Sequence, residues 1–132
     1  MDYRDIPGSF CTAISYLTRP SASFPIIVQS QITDGFMGQA RSGYVPDPRA
    51  DDRVYGGHAM VMVGYVSEDQ IHHHFHTLPL NYVPGNGGYF IVKNSWGSQF
   101  GDGGYYYISQ AYLQKYAYAL YAVKDAKLVL TN

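Results

Sequence analysis

The spacing of hydrophobic and polar positions changes period several times along this chain. Over Ser9 to Leu17, "SFCTAISYL", the residues Phe10, Ala13, Ile14 and Leu17 recur on one helical face, and "TRPSAS" follows as a stop. This predicts a short amphipathic helix. "FPIIVQSQI" then reads as a strand whose N-terminal half is fully buried, "HAMVMVGYV" as a second strand and "YFIVKN" as a third. "GYYYIS" and "YALYAVK" are rich in aromatic or β-branched residues and alternate, which predicts two more strands. The segment "DGFMGQARSGYVPDPRADDRVYGG" is a long connection punctuated by Gly and Pro, with a short helical turn expected around Phe36 to Ala40. "SEDQIHHHFHTLPLNYVPGNGG" reads as a surface loop or an extended hairpin. No internal repeat and no linker interrupts the pattern. The expected fold is α+β and mainly β: an antiparallel sheet or partial barrel behind a short N-terminal helix, in one domain spanning residues 1–132.

Bulk composition supports one core and narrows the partners. With 132 residues, 46% hydrophobic and 14% charged, the chain can fill one compact domain, and two would be a squeeze. Nine basic against ten acidic residues give a formal net charge of -1. A pI near 6.5 leaves no electrostatic footprint for nucleic acid or an anionic membrane. No run approaches the about 18 apolar residues of a membrane span, and "MDYRDIPGSF" shows neither a basic nor an apolar leader region. The compartment stays open. The single cysteine, Cys11, excludes an internal disulfide and a multi-cysteine zinc site.

Strand order brings two polar residues together. If "HAMVMVGYV" and "YFIVKN" pair antiparallel through their connecting loop, the start of the first lies opposite the end of the second, and His58 comes beside Asn94. An amide oxygen facing an imidazole fixes the tautomer and ring angle, and leaves the other ring nitrogen free to exchange a proton with a nucleophile. Such an amide suits a thiol partner, because thiolate and imidazolium already form an ion pair and need no further negative charge. Trp96 can lie over this hydrogen bond and exclude water, while Gly97 permits a close turn.

"GGHAMVMVGY" followed by "YFIVKNSWGSQFGDGGYYYI" resembles the C-terminal half of papain-like (family C1) cysteine peptidases. Upstream, "FCTAISYL", "FPIIVQSQ" and "FMGQARSGYV" are similar to that family's helix, strand and Gly-Tyr segment, and "QAYLQKYAYALYAVK" is similar to the closing strand region of bacterial members. The resemblance implies the right-hand, β-rich domain of the papain fold. It also implies His58 as catalytic base, Asn94 as its orienting amide, and Trp96 as the indole that shields the pair. Gly57 stands where Asp or Asn is often found, and Phe100 where a second tryptophan is common.

The resemblance also marks what this sequence does not show. The family carries its nucleophile in a Cys-Gly-Ser-Cys-Trp-like motif roughly 130–150 residues before the histidine. Here the sole cysteine lies much nearer to His58, no tryptophan follows it, and Asp5 stands where a glutamine is expected. Cys11 is therefore expected as a buried helix residue rather than the nucleophile. The chain is therefore expected to be the β-rich half without the helical, cysteine-bearing half.

The remaining polar features read as ordinary surface. His72, His73, His74 and His76 alternate between faces with no carboxylate or thiol to complete a zinc-like set, so a solvated loop is expected and no metal or cofactor. The 14 tyrosines fit packing and amphipathic surface better than a nucleic-acid platform, and "DPRADDR" fits a solvated loop. Two functions remain. In one, the chain is the His/Asn half of a peptidase that hydrolyses peptide bonds through a thioester, with a cysteine from a helical partner chain. In the other, it is a non-catalytic papain-fold module that binds protein. In either case the cleft-facing surface would dock a partner or self-associate.

Overall fold

A computed structural model describes residues 2–3, 6–18, 25–38, 43–45, 47–71, 85 and 87–122, with residues 2–3 and 6–9 as backbone alone. Seven strands form one sheet: β1 (Asp2–Tyr3), β2 (Ile26–Thr33), β3 (Tyr44–Val45), β4 (Val54–Val66), β5 (Tyr89–Lys93), β6 (Tyr105–Ser109) and β7 (Ala117–Ala122). Their spatial order is β1-β7-β2-β4-β5-β6-β3. Among the described residues the helices spanning several residues are α1 (Ile6–Leu17), α2 (Asp34–Gly38) and α3 (Gln110–Tyr116), with a 3-10 turn at Glu68–Gln70.

Alternation along the strands builds the core. In β2 the side chains of Ile26, Val28 and Ser30 are buried while Ile27 and Gln29 are only partly so. The N-terminal half of this strand is thus one-sided, where the apolar run "PIIV" had suggested burial on both faces. Met60 and Met62 of β4, Phe90 and Val92 of β5, Tyr106 and Ile108 of β6 and Leu120 of β7 join the same cluster. Helix α1 covers it with Phe10, Ala13, Tyr16 and Leu17. Phe10 meets Phe90 with ring centroids 5.6 Å apart. A second, smaller cluster gathers Val66, Ile71 and Tyr89.

Further features depart from the sequence expectation, among them the start of β4 at Val54 rather than His58. The sheet is mixed, because β3, drawn from the long connection before β4, runs parallel to β6 and not antiparallel. A helix, α3, separates β6 from β7 where only strand had been expected. Ser109 caps it, its hydroxyl accepting from Tyr112 N–H at 3.0 Å, and Tyr112 and Leu113 pin it to the core. The helical turn after β2 begins at Asp34, two residues earlier than expected. The antiparallel pairing of β4 with β5 runs from Val61 opposite Lys93 to Val66 opposite Tyr89, with a bulge between Met62 and Gly64 that turns Val63 outward.

Candidate active site

Strand β4 carries His58 opposite Ser30 of β2, two positions before the buried Met60, so the imidazole shares the core face of the sheet. Asn94 follows the last residue of β5 and stands on the same face as Val92; its own N–H donates to Gly104 O at 3.0 Å. Continued past Val61 and Lys93, the β4–β5 register sets Asn94 opposite Met60, one diagonal step from His58 on the same face. His58 Nε2 lies 2.7 Å from Asn94 Oδ1.

Neighbouring atoms settle which ring nitrogen carries the proton. The Ser95 N–H also points at Asn94 Oδ1, at 2.7 Å. A main-chain N–H can only donate, so the atom it meets is the amide oxygen and not the amide nitrogen. An oxygen can only accept from the imidazole, so His58 Nε2 donates. Its Nδ1 lone pair is then available for a proton from another group. Asn94 is 5% exposed, which keeps water from competing for the shared oxygen.

Aromatic rings enclose the pair. Trp96 stacks on His58 with centroids 5.1 Å apart and an interplanar angle of 29°. The indole is held in turn by edge contacts with Phe36, Phe100 and Tyr106, at 5.8, 5.9 and 6.2 Å. Phe36 comes from α2 and lies flat against Tyr106 of β6, 5.0 Å apart with planes 2° from parallel. Gly97 turns the chain back after the indole with φ of 96°, a conformation that other residues adopt only under strain. Its carbonyl accepts from Phe100 N–H at 3.3 Å.

The structure therefore brings together His58, Asn94 and Trp96, with Gly97 in the adjoining turn. Gly57, beside His58, has its own neighbour: a Cβ there would lie 2.5 Å from the hydroxyl of Tyr118. The sequence reading missed Phe36 and Tyr106 as parts of this enclosure, although inward alternation in "GYYYIS" singles out Tyr106 and Ile108. Cys11 is not at the site. It is exposed on α1 and not buried as expected, because the helical face that meets the sheet is made by Phe10, Ala13 and Leu17. Through Phe10 its turn of α1 sits by Phe90, whose partner on β4 is Tyr65. That is roughly 20 Å along the strand from His58. His72, His73, His74 and His76 lie outside the described residues; among those described, no group of acidic, His and Cys side chains could hold a metal. Among the described residues, too, no helix is long and apolar enough to cross a membrane.

The opposite side of the same strands is bare. Ile27, Ala59, Val61, Lys93 and Ser95 alternate outward and border an open recess of about 410 Å3 that reaches Asn94. Val63 and Val54 are exposed on β4, as is Tyr55.

Known proteins resemble this chain in sequence and in fold. Residues 17–124 match the model of the papain family of cysteine proteases. An uncharacterized peptidase C1-like protein of Acanthamoeba polyphaga mimivirus is 31% identical over 94 residues, covering 70% of this chain and 24% of that protein. Xylellain, a cysteine protease from Xylella fastidiosa, superposes with a TM-score of 0.54 at 23% identity, over 75% of this chain and 32% of its own. Bromelain from Ananas comosus, solved with the inhibitor E64, aligns with a TM-score of 0.45 at 19% identity, over 87% and 44% of the two chains. This chain thus spans about a quarter of the curated relative and about a third of xylellain. With the family match running from the last residue of α1 through β7, and with its fold shared by xylellain, this chain belongs to the papain family of cysteine proteases.

Proposed function

We propose that the chain, folded as one unit over residues 1–132, supplies the base and orienting amide of a papain-like cysteine peptidase site, and that the nucleophilic thiol comes from another polypeptide segment. The observation that carries this reading is the part-buried 2.7 Å bond between His58 Nε2 and Asn94 Oδ1 beneath Trp96. A scaffold has no physical need for a histidine held in one tautomer with its second nitrogen free. In the reaction, His58 Nδ1 takes the thiol proton as sulfur attacks the scissile carbonyl carbon. The proton then passes to the leaving amine as the C–N bond breaks, which leaves a thioester. Water, deprotonated by the same nitrogen, hydrolyses it and returns the thiol. Peptides or proteins are the substrates, and the face bearing His58 and Trp96 is where a cysteine-bearing helical partner, or a second copy, would rest.

The test is reconstitution. Thiol-dependent cleavage of a peptide should appear only when the chain is mixed with a helical, cysteine-bearing partner, and should vanish with His58→Ala. Robust peptidase activity from a monodisperse monomer would sink the proposal, since it requires a complete site within these residues. A second reading, a protein-binding module that kept the fold without the chemistry, draws on the distance of Cys11 from His58. A partner that binds tightly and yields no turnover would favour it.

A further inference from the structure

The other end of the Asn94 amide is unexplained by its contact with His58. Asn94 Nδ2 is buried, and among the described residues it has no hydrogen-bond partner of ordinary geometry. The same holds for the buried hydroxyl of Tyr106. Two orphaned polar groups in a core are costly, and each needs what the other offers. The sheet register places them side by side. Val92 is paired with Tyr106, and Asn94 N–H bonds to Gly104 O, so Asn94 and Tyr106 are diagonal neighbours on one face of β5 and β6. That diagonal is within reach of a tyrosine side chain. Burial raises the pKa of the Tyr106 hydroxyl, and the Asn94 side chain is close enough to oppose the rise.

We infer that Tyr106 is a positioning residue for Asn94: its hydroxyl oxygen accepts from Nδ2, fixes the roll of the amide and so keeps Oδ1 aimed at His58. Phe36 serves the same end. Its flat stack on the Tyr106 ring, with Trp96 against the edges of both, leaves the phenol no freedom to swing away. The orienting unit is then a series, from Phe36 through Tyr106 and Asn94 to His58. The assignment rests on the proposed reading of His58 as a base, but its test does not require turnover.

Nuclear magnetic resonance on the 15N-labelled 132-residue chain decides it. In the wild-type chain one Asn94 Nδ2 proton should exchange slowly with solvent and show a cross-peak to Tyr106; absence of both overturns the inference without any variant. Tyr106→Phe keeps the ring stack and removes only the oxygen. It should shift the Asn94 side-chain amide resonances and turn a dominant Nε2–H tautomer of His58 into a mixture, while Tyr105→Phe, on the outward face, should do neither. Unchanged amide resonances and tautomer in Tyr106→Phe would show that the hydroxyl has no positioning role. In a reconstituted peptidase the same variant should lower kcat about tenfold with KM little moved, as for outer partners that orient histidines elsewhere. If the tautomer responds but no partner ever yields turnover, the positioning role stands and the peptidase reading falls.

Discussion

The N–H of Ser95 and the Nε2 of His58 share a single oxygen of Asn94, each at 2.7 Å. The residue that follows Asn94 in the chain therefore determines which end of the amide faces the imidazole. Asn94→Ala removes that oxygen and leaves the β5–β6 ladder intact. Turnover of a reconstituted enzyme should fall roughly 10- to 100-fold while the chain stays folded, since the amide orients the ring and does not itself move a proton. Unchanged kcat would mean that another group holds His58.

Trp96→Ala strips the cover from the His58–Asn94 bond and empties a space bounded by Phe36, Phe100 and Tyr106. A loss of about 3 kcal/mol is expected in denaturant unfolding, at the low end for large aromatic truncations because the indole is only partly buried. Solvent exchange of the His58 Nε2 proton should accelerate in parallel. Exchange that stays slow would assign the shielding elsewhere.

Cys11 is exposed and stands toward the Tyr65 end of β4. Alkylation at neutral pH should proceed at the same rate in the wild-type chain and in His58→Ala. A marked slowing in the variant would make Cys11 the thiol that His58 serves.

Gly57→Ala drives a methyl group into the Tyr118 hydroxyl. In the wild-type background the clash should offset the usual strand preference for Ala over Gly. In a Tyr118→Ala background the same change should stabilise by about 0.5–1 kcal/mol. A double-mutant cycle by thermal unfolding measures the coupling, and a cycle that closes to zero would remove Tyr118 from the neighbourhood of His58.

Tyr112 donates its buried hydroxyl to Gln31 O at 3.0 Å, and burial pushes its pKa up to about 12 from 10. A raised folded-state value means that its contribution is complete below pH 10 and disappears as pH rises through about 12. The wild-type chain should lose about 2–3 kcal/mol over that window from this group. Tyr112→Phe should be less stable at neutral pH and flatter in alkali; equal slopes above pH 10 would contradict the assignment.

Much of this site was legible because strand chemistry is repetitive. An apolar run ending in a lone amide, and a histidine in the preceding strand, become neighbours as soon as the two strands pair, and the pairing follows from alternation, although β4 starts at Val54, four residues before the expected opening at His58. The helix α3 was not legible, since "QAYLQKY" is as aromatic as the strands that flank it, and its cap depends on a hydroxyl contact from Ser109. The parallel seating of β3 has no local signature either, being two residues placed by the sheet edge. Cys11 was misjudged for a different reason. Cysteine's burial preference is weaker than the helical phase set by Phe10, Ala13 and Leu17, and the phase prevailed.

The strand that faces His58 from the other side, β2, is paired on one edge with β4 and on the other with β7. During synthesis β4 emerges long before β7, so one edge of β2 must wait, apolar and unpaired, until residues 117–122 are available. A chain halted before Ala117 should thus be sticky and sensitive to protease, however complete its His58–Asn94 pair. Helix α3 and strand β7, made after both His58 and Asn94, close the surface on which that chemistry is built.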